Sequence, residues 1–337
     1  MSNQKIRWGV LGTAGIALKK VIPAMQLGQV TEVTAIASRD LGKAKEAAAR
    51  LGIRKTYGSY EDLLADPEID AVYNPLPNHL HAPWTIQAAS AGKHVLCEKP
   101  IALNRSEVVA MMEARDRNRV KIGEAFMVRT HPQWLRAREI AQSGEIGAVR
   151  SFLGAFSYFN DDPHNIRNVA SYGGGGLMDI GCYPIFTSRF LLGEEPKSVI
   201  AAIERDPAFH TDRLTSAILD YPSGQAIFCC STQMTPYQRI QILGTAGRVE
   251  IEIPFNAPPD RPTRLFVDTT GDLSGSGIRT ESFPVCDQYT LQGDAFSRAI
   301  LNHTEVPVPL EDALRNLAVI EALFRSTESG HWEVPAA

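Results

Sequence analysis

Short apolar runs alternate with longer segments rich in Ala, Lys and Glu through the first third of the chain. The runs at 6–11, 33–37, 69–73, 94–97 and 120–123 read as strands, and the segments 16–25, 41–51, 60–64, 81–91 and 106–118 read as helices. Local chemistry agrees with that division. Ser59 is a good N-cap for the third helix, Gly52 and Gly92 are helix stops, Glu107 suits a first turn, and Pro23 predicts a bend. Strands separated by helices imply βαβ units, and right-handed crossovers turn these into a doubly wound parallel sheet.

The pattern changes after residue 123. A basic helix at 132–143 precedes strand-like runs at 149–159, 198–205, 215–220, 225–232, 239–243, 248–253 and 264–268. Turn residues at 222–224, 244–247 and 258–259 separate several of them, a helix at 176–192 interrupts the series, and helices at 292–302 and 310–327 close it. This is an α+β pattern with a large, mostly antiparallel sheet. The expected division is therefore 1–123 for an α/β, doubly wound domain and 124–337 for an α+β domain. The 337-residue length agrees with two domains.

Composition narrows the class without naming an activity. A formal net charge of −4 offers no global attraction to nucleic acid or an anionic membrane. No apolar run reaches the length of a spanning helix, and the N-terminus lacks a signal-peptide core, so a cytoplasmic location is expected. The five cysteines show no CxxC spacing and read as reduced thiols; no His, Cys or carboxylate cluster has zinc spacing, so no metal is expected.

Five clusters carry candidate chemistry. After the first strand, Gly12, Ala14 and Ala17 stand in the three places of the dinucleotide fingerprint G-x-G-x-x-G/A, with Ala in the second. The turn through Gly12, Thr13, Ala14, Gly15 and Ile16 would offer backbone N–H groups to a pyrophosphate at a helix N-terminus. After the second strand, Ser38 and Arg39 supply a hydroxyl and a guanidinium fork, which suit the 2′-phosphate of NADP; Asp40, a possible partner for a ribose 2′-hydroxyl, leaves NAD open. Asn74-Pro-Leu-Pro77-Asn78-His79-Leu-His81 forms a rigid loop at a strand end, where Pro77, Asn78 and His81 can flank a nicotinamide, although histidines there are more often surface or capping groups. Glu98 and Lys99 follow the next strand, where charge belongs at a ligand-facing end rather than inside the sheet. Lys99 could hold a developing alkoxide. The fifth cluster runs from Tyr172 through four glycines to Asp179, Tyr183 and Pro184; a helix would set Asp179 and Tyr183 on one face, with Gly181 and Pro184 making it irregular.

In order and spacing the chain resembles the Gfo/Idh/MocA oxidoreductase family. The matching pieces are Gly-Val-Leu-Gly-Thr-Ala-Gly-Ile-Ala at 9–17, Pro-Asn-His-Leu-His at 77–81, Glu-Lys-Pro at 98–100, Phe-Met-Val-Arg-Thr-His-Pro-Gln at 126–133, Asn-Ile-Arg at 165–167 and Gly-Gly-Gly-Leu-Met-Asp-Ile-Gly-Cys-Tyr-Pro at 174–184. The resemblance implies a Rossmann domain followed by an open-faced sheet that joins copies into dimers or tetramers. It also implies a catalytic Lys99 and a cis Lys99–Pro100 bond. Tyr183, where many members carry His, resembles the branch of glucose–fructose oxidoreductase, NADP-dependent xylose dehydrogenase and dihydrodiol dehydrogenase.

On that resemblance the expected reaction is oxidation of the C1 hydroxyl of a cyclic aldose to a lactone, with hydride transfer to NADP. Tyr183 takes the proton, Lys99 stabilises the developing charge and helps hold the nicotinamide ribose, and Asp179 orients the sugar or Lys99. Arg129, His131, Tyr158, Asn165 and Arg167 are candidate substrate-pocket groups, with Arg167 also a candidate for cofactor phosphate and Glu98 for the cofactor side. The alternatives are reduction of a ketosugar or dicarbonyl, oxidation of a trans-dihydrodiol, and, in a different class, a regulatory protein that senses nicotinamide redox state.

Overall fold

A computed structural model describes residues 4–336. Its first sheet has six strands, β1 (Ile6–Leu11), β2 (Thr31–Ala37), β3 (Lys55–Tyr57), β4 (Ala71–Asn74), β5 (His94–Cys97) and β6 (Ile122–Glu124). They lie in the order β3-β2-β1-β4-β5-β6, all parallel, as the alternation of strands and helices predicts. The order reverses between β1 and β4, and ligands of doubly wound sheets bind beyond the strand ends at such a switch.

Gly52 and Ser59 act as the sequence suggests, while Asp40, expected as a partner for a ribose, is a helix cap. Asp40 Oδ1 accepts from Gly42 N at 2.9 Å and Lys43 N at 3.3 Å to start the helix Leu41–Leu51, which ends at left-handed Gly52. Ser59 caps Tyr60–Ala65, and Asn104, one residue earlier than the predicted start implies, caps Arg105–Asn118. The bend expected at Pro23 takes a specific form: Ala17–Val21 is a π-turn that continues into the helix Ile22–Gln26. Proline has no N–H for an i→i−4 bond, and a widened turn before it absorbs the mismatch.

The second sheet has eight strands, β7 (Val149–Phe159), β8 (Ser198–Arg205), β9 (Asp212–Asp220), β10 (Gln225–Ser231), β11 (Gln233–Gly244), β12 (Arg248–Ile251), β13 (Thr263–Asp268) and β14 (Arg279–Phe283). Their order is β14-β13-β12-β11-β7-β10-β9-β8, antiparallel except for β7 with β10. One cross-strand row, Val199, Leu219, Ala226, Phe152, Ile242, Val249 and Val267, is at most 1 % exposed. The adjacent row, Ile200, Ile218, Ile227, Leu153, Gln241, Glu250, Phe266 and Thr280, has no buried member. Alternate side chains thus face opposite sides, and each large apolar side chain on the covered side contributes about 1.5–3 kcal/mol by leaving water. The helices Pro132–Ser143, on β12 and β13, and Cys182–Leu192, on β7, cover that side.

The chain divides into two compact units, one comprising the residues up to Thr130 with Asp287–Leu314, the other His131–Cys286 with the residues from Arg315 onward. A single cut at 123/124 does not anticipate the return of 287–314 to the first unit. Its cause lies in β1: Trp8 is fully buried, donates its indole N–H to Ser297 Oγ at 3.1 Å and packs 5.5 Å from the Phe296 ring. Asp294 accepts from the backbone of Gln29 and Val30, and Val308 O accepts from Glu124 N at 3.0 Å. The helix there, Gln288–Leu301, begins four residues before the predicted 292 because Asp287 caps it through Tyr289 N. Strands β3 and β14 carry no clear apolar alternation and are not predicted. Among the described residues no helix is long and apolar enough to cross a membrane.

Candidate active site

Within the first unit, the fingerprint turn is built around Gly12. Its φ of +92° is open to glycine and costly for other residues, its N–H donates to Ala37 O at 2.8 Å, and a Cβ there would come 3.0 Å from Leu76. Thr13, Ala14 and Ile16 are half-exposed and Gly15 is exposed, with open space where its Cβ would stand. A glycine-held turn with helix N–H groups beyond it fits a pyrophosphate.

The end of β2 supplies the neighbouring subsite. Arg39 lines a cavity of about 290 Å³ together with Ser59, Tyr60, Leu80 and Trp84. Tyr60 lies in the field of Arg39, which opposes the upward push of burial on its phenol, and its ring meets Trp84 edge-on at 4.7 Å. Ser38 is buried and accepts from Asp40 N at 3.2 Å. Asp40 uses its carboxylate as the helix cap described above, which takes one oxygen away from a ribose. Tyr60 and Trp84 have no signal in the sequence: each reads as an ordinary apolar-face aromatic, and only the sheet brings them beside Arg39.

The ends of β4 and β5 form a braced scaffold. Tyr73 donates to Glu98 Oε1 at 2.6 Å; burial, then the Glu98 carboxylate, pushes the Tyr73 phenol well above its ordinary range, so it stays a donor. Glu98 Oε2 accepts from Lys99 N at 3.3 Å, and the Lys99–Pro100 bond is cis. Tyr289, from the returning segment, is raised by burial first and Glu98 next, while Lys99 opposes the shift, so its phenol belongs to the same electrostatic neighbourhood. Pro77 and Asn78 are half-exposed at the loop between Asn74 and His81, held by Leu80 N to Pro77 O at 2.7 Å.

His81 differs from the expectation of a cofactor-facing group. Its ring is 1 % exposed, with Nδ1 2.7 Å from Pro100 O and Nε2 2.6 Å from Leu76 O, and burial lowers its pKa to about 4. It clamps the two loops from behind instead of presenting a free nitrogen.

In the second unit, Asp179, Tyr158 and Arg167 come together. Asp179 Oδ2 accepts from Tyr158 Oη at 2.6 Å and Arg167 Nε at 2.8 Å. The Asp179 carboxylate raises the Arg167 pKa first, against desolvation, and the Tyr158 and Tyr183 hydroxyls act in the same direction. Tyr183 therefore lies in the field of this group, its ring edge-on to Phe156 at 5.7 Å and tilted against Phe255 at 5.2 Å. The irregular helix expected from Gly181 and Pro184 is a π-turn, Leu177–Gly181, leading into Cys182–Leu192, the same device as before Pro23. Asp179 and Tyr183 are both buried in it.

The other expected pocket groups divide. Arg129 is half-exposed in a short 3₁₀ turn, Met127–Thr130. Asn165 accepts from Arg167 N at 3.1 Å and so caps the turn that carries Arg167. His131 is corrected outright as a pocket wall: it is fully buried, its Nδ1 accepts from Gln133 N at 3.3 Å as the cap of Pro132–Ser143, its Nε2 lies 3.4 Å from Cys286 Sγ, and burial lowers its pKa to about 4. Before proline a ring nitrogen can replace the missing turn of hydrogen bonds, which the sequence leaves indistinguishable from a ligand. Among the described residues no group of three or more His, Cys, Asp or Glu side chains could hold a metal, and none of the five cysteines is in a disulfide.

Known proteins are similar to this chain along nearly its whole length. The oxidoreductase family, NAD-binding Rossmann fold, matches residues 6–126, and the GFO/IDH/MocA C-terminal domain matches residues 134–250. The chain is 48 % identical to an uncharacterised oxidoreductase of Rhizobium meliloti, over 97 % of this chain and 98 % of that protein. It is 40 % identical to the NADP-dependent D-xylose 1-dehydrogenase 2 of Haloferax volcanii, over 96 % of this chain and 98 % of the relative. The crystal structure of KijD10, a 3-ketoreductase from Actinomadura kijaniata in complex with NADP and TDP-benzene, superimposes with a TM-score of 0.88 at 30 % identity, covering 96 % of this chain and 98 % of that one. The chain belongs to the GFO/IDH/MocA family of NAD(P)-dependent oxidoreductases.

Proposed function

We propose that this enzyme oxidises the C1 hydroxyl of a cyclic aldose, of the xylose or glucose kind, to the lactone, with NADP as its cofactor. The observation that carries the substrate class is the likeness, end to end, to a D-xylose 1-dehydrogenase. Bound NADP⁺ supplies the hydride acceptor; the protein's part is orientation and proton transfer. The turn at Gly12 to Ile16 holds the pyrophosphate, Ser38 and Arg39 the 2′-phosphate, and the loops at Pro77, Asn78 and Glu98 the nicotinamide end. Tyr183 takes the hydroxyl proton, and Lys99 stabilises the negative charge that develops on the oxygen. Asp179, tied to Tyr158 and Arg167, orients the sugar.

The likeness to a 3-ketoreductase supports a second reading, reduction of a ketosugar, which the same residues serve in reverse. A panel of aldoses, vicinal diols and ketosugars, followed at the reduced-nicotinamide absorbance with NAD and NADP, separates the two. Lactone formation from aldoses is expected; consumption of NADPH by ketosugars with no aldose turnover would overturn it. Arg39→Ala is expected to raise KM for NADP roughly 10–100-fold, the value of about 1.5–3 kcal/mol for a hydrogen bond to a charged group. KM for NAD should barely move; equal responses would refute the 2′-phosphate assignment.

The open face of the second sheet supports self-association. Ile200, Ile218, Ile227 and Leu153 form a continuous apolar row, and Ile227 is 41 % exposed. We assign this face to a second copy of the chain. Ile227→Asp is expected to reduce the mass measured by light scattering to that of the monomer while activity per folded chain is measured in parallel; an unchanged mass would exclude this face.

A further inference from the structure

We propose that Asp212, at the start of β9, is a positioning residue that sets where Asp179 and Tyr183 stand, by fixing the glycine turn from which their helix begins. The inference rests on the roles given to those two residues above. Asp212 is 1 % exposed. Its Oδ2 accepts from Leu177 N at 2.5 Å and from Thr215 Oγ1 at 3.2 Å. The turn is wrapped onto the carboxylate. Gly175 has φ of +117°, and a Cβ added to it would lie 2.0 Å from Asp212 Oδ1; one added to Gly176 would lie 3.3 Å from Oδ2.

The run of glycines is thereby explained as close approach to a buried acid rather than as flexibility. From that anchor the helix follows by its own hydrogen bonds: Asp179 N donates to Gly175 O at 3.0 Å, and Tyr183 stands one further turn along. The opposite side of the turn is tied to the segment carrying Arg167, because Gly175 N donates to Arg167 O at 2.9 Å and a Cβ on Gly174 would meet that carbonyl at 2.4 Å. The backbone of both Asp179 and Arg167 is thus tied to the turn that Asp212 holds. Burial pushes its carboxyl up to about 6 against the Leu177 and Thr215 bonds, the mark of an acid retained at a cost.

The test uses the full chain, with Asp212→Ala, Asp212→Asn and Thr215→Val. Three readouts are taken: kcat and KM on D-xylose, NADPH affinity by fluorescence, and amide hydrogen exchange over 173–183. A displacement of a reacting group of about 1 Å can lower the rate on the order of 10²-fold. Asp212→Ala is accordingly expected to lower kcat roughly 10–100-fold, to leave NADPH affinity within about twofold, and to release protection at Leu177 and Asp179. Asp212→Asn, which keeps an oxygen for Leu177 N, should recover most of kcat. If the alanine variant does not fold, Thr215→Val carries the test, with a several-fold loss of kcat at constant NADPH affinity. Unchanged kcat and unchanged exchange in the folded variants would overturn the proposal. Should the wild-type enzyme turn over no aldose, the sugar reading fails by itself, and exchange over 173–183 alone decides the role of Asp212.

Discussion

Replacing Lys99 with alanine is expected to lower kcat roughly 10²–10⁴-fold, the usual size of a lost general acid–base or charge-stabilising group. The surroundings make this a clean subtraction. Glu98 is anchored by Tyr73, the Pro100 carbonyl by His81, and Ile101 N by Glu124 Oε1 at 2.9 Å, so the main chain on both sides of Lys99 is held without its ammonium group. The unfolding temperature should therefore change little, and the loss should appear in kcat. Lys99→Arg should fail to rescue, because a planar guanidinium fork cannot take the place of a compact ammonium. A turnover in Lys99→Ala within tenfold of wild type would remove Lys99 from the chemistry.

Tyr183→Phe is expected to produce a loss of similar size, roughly 10²–10⁴-fold in kcat. This substitution removes one hydroxyl and leaves the ring, so the contacts with Phe156 and Phe255 that seat the side chain remain. Stability should hold, and a fall in activity then reports proton transfer rather than packing. Near-normal turnover would transfer the base role elsewhere. Tyr158 is the neighbouring phenol, but its hydroxyl already donates to Asp179 at 2.6 Å, which ties it to orienting the carboxylate.

How much of this could be read beforehand depends on the range of the forces involved. Gly12, Lys99 and the helix capped by Ser59 are legible because their signals are local. A positive φ, a charge at a strand end or a side chain bonded to N–H groups two or three residues on all act over a few positions of the chain. His81 and His131 were harder for the same reason. A histidine in a turn looks alike whether its ring meets a ligand or a backbone carbonyl, and only burial distinguishes the cases. Tyr60, Tyr289 and Asp212 leave no local mark: Tyr289 reaches the neighbourhood of Glu98 across nearly two hundred residues, and Asp212 meets Leu177 across 35.

The amino-acid sequence by itself determined the parallel first sheet, the larger, mostly antiparallel sheet after it and the glycine turn that follows β1. Hydrophobic periodicity, caps and glycine turns specify local conformation. Only the tertiary structure decided that residues 287–314 return to the first unit, that two expected histidines are clamps and caps, and that a buried carboxylate on β9 holds the helix of Asp179 and Tyr183. Those outcomes come from burial and from pairing between distant segments. Trp8 and Ser297 illustrate why: desolvation and a hydrogen bond join them in space, and nothing near either in the chain records it.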